Sequence, residues 1–409
     1  ILFNLFMKRL LVILSGVIVS LNFAFAQNPD EWNGQQATQN TITTAVPFLN
    51  IGPDARSGGM GELGVSSEPD AISQHWNPAK YAFIEKDMGF AVSYSPWLRQ
   101  LVNDINLAYL SGYKKLNDRS AVSASLKFFS LGDITFTEQD GSVIGNFRPN
   151  EFSVDAGYAR KFSNKFSGAI SGRFIYSNLT QGQTVQGQST KPGTSVAADI
   201  AVFYTNELIV NWLEGSTFNF GAAITNIGSK MSYSNDDSDR DFIPTNLRFG
   251  PSWLMEIDEY NSIRLSLDIN KLLVPTPPIY AVDEDGNPIL DDAGNLTIYK
   301  GKDPDVSPVA GMIQSFYDAP GGFSEEMKEF IWVAGAEYWY DKQFAVRAGY
   351  FHESDMKGNR KFFTLGAGLR YNVFGLDFSY LIPTEQQNPL ANTLRFTLTF
   401  NFDGVNNSE

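Results

Sequence analysis

From Leu394 to Phe402 the chain alternates without a break: Leu394, Phe396, Leu398, Phe400 and Phe402 share one side, Arg395, Thr397, Thr399 and Asn401 the other. Successive side chains of a strand point to opposite faces, so this segment asks for oil on one side and water or polar groups on the other. The same period recurs in Phe152–Tyr158, Ile263–Ile269, Phe344–Tyr350 and Phe374–Tyr380, with charges inside the strands. A soluble two-layer sandwich also buries one face and wets the other. Two features favour an outer-membrane barrel instead. The apolar face carries Phe, Tyr and Trp near segment ends, as interfacial girdles do, and segments of roughly ten residues follow one another in a single series.

Fourteen strands can be drawn, beginning near residues 88, 105, 120, 151, 166, 195, 217, 245, 262, 330, 343, 362, 374 and 392. The expected fold is an all-β transmembrane, antiparallel barrel over residues 88–402, with a tail at 403–409. An even strand number puts both chain ends on the periplasmic side and the long connections outside the cell. Short connections alternate with long ones as this requires, although the turn from Asn206 to Gly215 is longer than its class. The largest connection, 271–329, opens on Val274-Pro-Thr-Pro-Pro278, whose prolines cannot donate to a ladder. A hairpin is expected over Tyr280–Tyr299 and a capped helix from Ser324. A loop of such length folds when it has a task.

Before the barrel, residues 1–26 read as a secretory signal peptide: Lys8 and Arg9, an apolar core and Ala24-Phe-Ala26, with residues 1–6 upstream of the natural start at Met7. Residues 27–87 read as a polar, mobile lead followed by a hatch or plug, rich in Gly, Ala and Pro from Val46 to Lys86. The net charge of −14, with no basic stripes, disfavours nucleic acid. The absence of cysteine excludes disulfides and thiolate metal sites.

Few residues offer chemistry, and no cofactor is expected. Asp283-Glu-Asp-Gly-Asn287 followed by Asp291-Asp292 could hold calcium, but the spacing closes no EF-hand loop, and solvated turn acids are the plainer reading. His352 and Ser354, with Glu353 and Asp355 nearby, could be imagined as a hydrolase set. A rim histidine among turn residues is the ordinary case. His75, beside Trp76, reads as packed in the plug. The inward charges, Lys127, Asp155, Arg173, Asp199, Asp268, Glu337, Arg347, Arg370, Asp377 and Arg395, interleave both signs, which favours pairing over a solute path. In the large loop, Met312, Ile313, Phe316, Tyr317 and Phe323 make an apolar cluster that is either a small core or a protein contact.

The block Val46–Phe83, and within it Ser73-Gln-His75-Trp76-Asn77-Pro78-Ala79-Lys-Tyr-Ala82, resembles the PorV family of outer-membrane components of the Bacteroidetes type IX secretion system. Asn77-Pro78-Ala79 alone resembles the wider FadL class of hydrophobic-solute transporters. Asn270–Pro278 and Tyr317–Glu326 also resemble the PorV family, so the likeness spans the chain. It implies a FadL-like barrel with an N-terminal hatch that includes His75, Trp76, Asn77, Pro78 and Ala79. It also implies a role without catalysis: accepting cargo with C-terminal secretion signals from the SprA translocon barrel and passing it to the attachment complex containing the PorU sortase. Outer-membrane lipid is the remaining partner. The alternative is a FadL-type channel for hydrophobic solutes.

Overall fold

The computed structural model describes residues 39–403 except 99–103, 138–141, 181, 183, 186–187, 235–239 and 385–389. The expected signal peptide, the lead before residue 39 and the tail after residue 403 lie outside the described residues.

Fourteen antiparallel strands close into one barrel. In chain order they are β1 Met88–Pro96, β2 Asn106–Asn117, β3 Ser120–Ser130, β4 Asn150–Lys161, β5 Phe166–Asn178, β6 Gly193–Glu207 and β7 Gly215–Gly228. There follow β8 Asn246–Glu256, β9 Asn261–Leu272, β10 Ile331–Tyr340, β11 Phe344–His352, β12 Lys361–Tyr371, β13 Phe374–Pro383 and β14 Leu394–Phe402. Each begins within two residues of its expected position. The ring closes where β1 pairs with β14, Met88 opposite Phe402. Closure leaves no unpaired strand edge to lipid, which is why a β-protein can cross a membrane at all.

The alternation sorts the wall into two faces. Phe90, Tyr94, Phe174, Phe363 and Phe396 are exposed outward, whereas Ser93, Asp155, Arg173, Asp268 and Arg395 are buried inward. Two irregularities interrupt it: β2 shifts register against β3 between Lys115 and Asn117, and β6 against β7 between Ala198 and Ile200, where Asp199 accepts the N–H of Asn226, which sits at φ 60°. Such bulges kink a wall locally.

Inside the ring lies the segment from Ala45 to Ile84, folded as short turns of helix at Pro47–Asn50, Ala55–Gly58 (α1), Ser73–Trp76 (α2) and Pro78–Phe83. It bonds to inward side chains all round the wall. Thr397 accepts the N–H of Ala55 (2.9 Å), Thr364 that of Gly61 (2.7 Å), and Asp268 those of Gly64 and Val65 (2.8 and 3.0 Å). Lys127 donates to the carbonyls of Leu49 (3.0 Å) and Ile51 (2.8 Å).

The plug runs the full length of the lumen. One end meets the large loops, since Asn40 and Ala45 bond to Met356 and Phe242. The other meets the short turns, where the N–H of Lys115 donates to Asp87 and Lys86 pairs with Asp403. The plug thus makes a crossing of its own through the lumen, from the long-loop end at Asn40 to the short-turn end at Lys86.

Candidate docking surface

The connection from β9 to β10 folds as a cap on the barrel mouth. Its foundation is a buried cluster of opposite charges. Lys271, fully buried, reaches Glu326 (3.3 Å) and Glu329. Lys357, from the β11–β12 loop, reaches Glu325 (2.5 Å) and Glu329 (3.0 Å). Thr276 ties in the proline-rich entry, its hydroxyl donating to Glu329 (2.6 Å) and its N–H to Asp318 (3.1 Å). Taking one partner from such a set strands a buried charge, so the cap is held firmly at its base. Burial, with Glu326 and Glu329 nearby, pushes the Asp318 carboxyl up to about 6.

On this base stands helix α3, Pro308–Gln314, capped by the Ser307 hydroxyl, which accepts the N–H of Ala310. Its residues are arranged against the usual rule. The inward side is small: Gly311 packs so closely on Phe242 that a Cβ there would lie 2.8 Å from the ring, and Ser315 is fully buried just beyond. The outward side is apolar. Val309 and Ile313 are 63% and 61% exposed, and Phe316 and Tyr317 continue the same face. A second short helix, Phe323–Glu326 (α4), adds Phe323 at 79% exposure and Met327 one turn on. Helices normally turn this stripe inward.

Of the five partner residues expected from the sequence, Ile313, Phe316, Tyr317 and Phe323 are exposed together, while Met312 is half-buried. Val309 and Met327 belong to the same surface and were missed; their spacing of four residues from Ile313 and Phe323 is the signal that reveals them. The expected cap at Ser324 is corrected: α4 starts at Phe323, behind Gly322 at φ 67°, with no side-chain cap. The expected hairpin pairs at its base, Tyr280 opposite Ile298, and carries two tight turns within it. Asp283 accepts the N–H groups of Asp285 and Asn287, and Asp291 those of Ala293 and Asn295. Gly286 and Gly294 take up the left-handed conformation in each. Asp283 and Asp291 thus serve these turns, and among the described residues no three or more His, Asp or Glu side chains gather into a metal-ligand group.

The hatch motif pins the plug. Asn77 accepts the N–H of Ala79 (3.0 Å), so opening the turn that Pro78 begins, and its amide donates to the carbonyls of Val65 and Val202 (2.9 Å each). The Ala79 carbonyl accepts from Ser167 (2.7 Å). The Trp76 indole donates to Asp54 (2.6 Å) beneath the Arg248 guanidinium. His75 packs edge-on against Trp76, with Lys127 3.4 Å from Nδ1. The contacts with Val202, Ser167, Arg248 and Lys127 join plug to wall, and the others hold the plug together.

Eight of the ten inward charges pair, while Lys127 and Asp268 bond to plug main chain instead. Glu337 takes Arg56 in a bidentate bridge (2.8 and 3.0 Å) and Arg347 at 2.7 Å; Asp377 takes Arg347 (2.9 Å) and Arg370 (2.7 Å). Arg173 bridges Asp155 and Asp199, and Arg395 holds Glu62. The His352 set does not assemble: Nδ1 faces the Tyr350 hydroxyl at 3.4 Å, and Glu353 is held by Arg360.

Known proteins add the following. No curated protein sequence matched. Solved barrels of similar shape include the Ralstonia pickettii toluene transporter TbuX (13% identity, 87% of this chain and 100% of that one, TM-score 0.45). A Pseudomonas aeruginosa FadL homologue (12%, 89% and 100%, 0.43) and the Pseudomonas putida toluene transporter TodX (12%, 87% and 99%, 0.46) are similar too. The family model for the type IX secretion system protein PorV matches residues 34–279, more than half the chain. With that match, the chain belongs to the PorV family of outer-membrane type IX secretion components.

Proposed function

We propose that this barrel works without catalysis as a docking platform. It binds the SprA translocon barrel, accepts cargo carrying C-terminal secretion signals and passes it to the attachment complex that contains PorU. The observation that carries this reading is the reversed helix α3 with its neighbour α4. A cap anchored by buried ion pairs, yet turning Ile313, Phe316 and Phe323 to solvent, presents the aromatic and aliphatic anchors that interfaces use. The large-loop end then faces outside the cell. The barrel wall, clad in apolar side chains, would lie against lipid and the partner barrel.

The solute-channel alternative would require a plug bonded to Asp268, Thr364 and Thr397 to leave the lumen. The discriminating experiment is affinity purification of an Ile313→Ser/Phe323→Ser double variant from native membranes. Recovery of the translocon should fall by at least about tenfold while the barrel stays heat-modifiable on gels. Undiminished recovery removes the cap from the model.

A further inference from the structure

Residues 39–45 lie against the long loops outside any helix or strand, and exposure alternates along 39–44. Gln39, Thr41 and Thr43 face solvent, while Asn40, Ile42 and Thr44 are half-buried against the loops. Among the described residues two main-chain bonds hold them to those loops: the N–H of Asn40 donates to Met356 (2.8 Å) and that of Ala45 to Phe242 (2.9 Å). The side chain of Asn40 adds two more, donating to the Pro277 carbonyl (3.2 Å) and to Glu325 Oε1 (2.9 Å). Glu325 is buried and fixed by Lys357 (2.5 Å) and the N–H of Gly321 (2.8 Å). Pockets that take alternate side chains are what give extended-peptide recognition its specificity, with main-chain bonds beside them supplying affinity. A strand built into the wall would carry a full ladder instead.

We propose that the mouth between the cap and the β7–β8 and β11–β12 loops is a binding groove for an extended peptide, occupied in cis by residues 39–45. A partner's segment fits it when it offers an amide side chain where Asn40 sits and a branched apolar one two residues on. The carboxylate of Glu325 selects for the amide. Burial opposes its charge, but Lys357, the Gly321 N–H and Asn40 outweigh that and hold its pKa below the usual range. At neutral pH it therefore welcomes a donor and repels a second carboxylate. This groove is distinct from the outward face of α3 and α4, and its test needs no secretion partner.

The chain has no cysteine, so a single Ile42→Cys reports on the groove through maleimide labelling of the purified protein. Asn40→Asp sets a carboxylate against Glu325, and Asn40→Ala simply removes the amide. Both should raise labelling of that cysteine about tenfold, the cost of a hydrogen bond to a charged group. A synthetic peptide of residues 39–46 should then bind the Asn40→Asp and Asn40→Ala proteins in fluorescence anisotropy, and the same peptide with Asp for Asn40 should not. Unchanged labelling, or raised labelling without peptide binding, overturns the groove. Equal binding of the Asp peptide overturns Glu325 as its reader.

Discussion

The plug and the cap are both irregular segments set on charged clusters, but they treat their apolar residues in opposite ways. Trp76, Tyr81, Met60 and Leu63 of the plug are buried to within 2%. Phe323, Ile313 and Val309 of the cap are more than half exposed. Anchoring by ions is thus common to both, and completion is not. The plug is a finished interior whose partners are all in the same chain. The cap is a finished foundation under an open surface.

Three variants test that contrast. Glu337→Gln should do most, because it leaves the guanidinium groups of Arg56 and Arg347 in the lumen without their shared carboxylate. A loss of about 3–5 kcal/mol is expected, read as a lower unfolding temperature on heat-modifiability gels; a shift within error would mean that these pairs hold nothing.

Next is Gly349→Leu. A Cβ there would lie 2.0 Å from the Met60 backbone, so the plug must move, at a cost of about 1–3 kcal/mol. Single-channel recordings should show new conductance from this variant, while the Phe323→Ser protein stays silent. Equal behaviour of the two would erase the distinction between plug and cap.

The smallest effect is a pH slope confined to the cap. Burial raises the Asp318 carboxyl from 3.8 to about 6, so the folded cap favours its protonated form. That contribution is complete below pH 3.8 and is lost as pH rises through about 6. Limited proteolysis of the cap should therefore be slower at pH 5 than at pH 7.5, and Asp318→Asn should flatten the difference. A slope that persists in the variant assigns it to another group.

Much of the barrel was legible because alternation is a direct image of its two faces; no tertiary knowledge is needed to place Asp155 and Arg347 inward. The glycines that admit the plug were not. Gly157 and Gly349 follow those charges by two residues, in Asp155-Ala-Gly-Tyr158 and Arg347-Ala-Gly-Tyr350, and so share their inward face. Alternation treats a missing side chain as silence, whereas in the lumen it is space for plug backbone: a Cβ at Gly157 would lie 2.8 Å from Gln74. Helix α3 was hidden for a different reason. It is two turns long, and its apolar stripe marks a surface rather than a core, so only Ser307 and Pro308 announce it. The place of Asn40 among the long loops was not legible, since its contacts are to loops far away in sequence.

Docking of the translocon on the open face of the cap, as proposed, stands or falls on one experiment. The most direct measurement places a photo-crosslinking amino acid at Phe323 in living cells, with the lipid-facing Phe396 as control. The account predicts a crosslink from position 323 to the SprA translocon barrel, lost when Ile313→Ser is added, and none from a lipid-facing site remote from the contact. Crosslinks from 323 to lipid alone, or no protein adduct while the translocon is present, would contradict it.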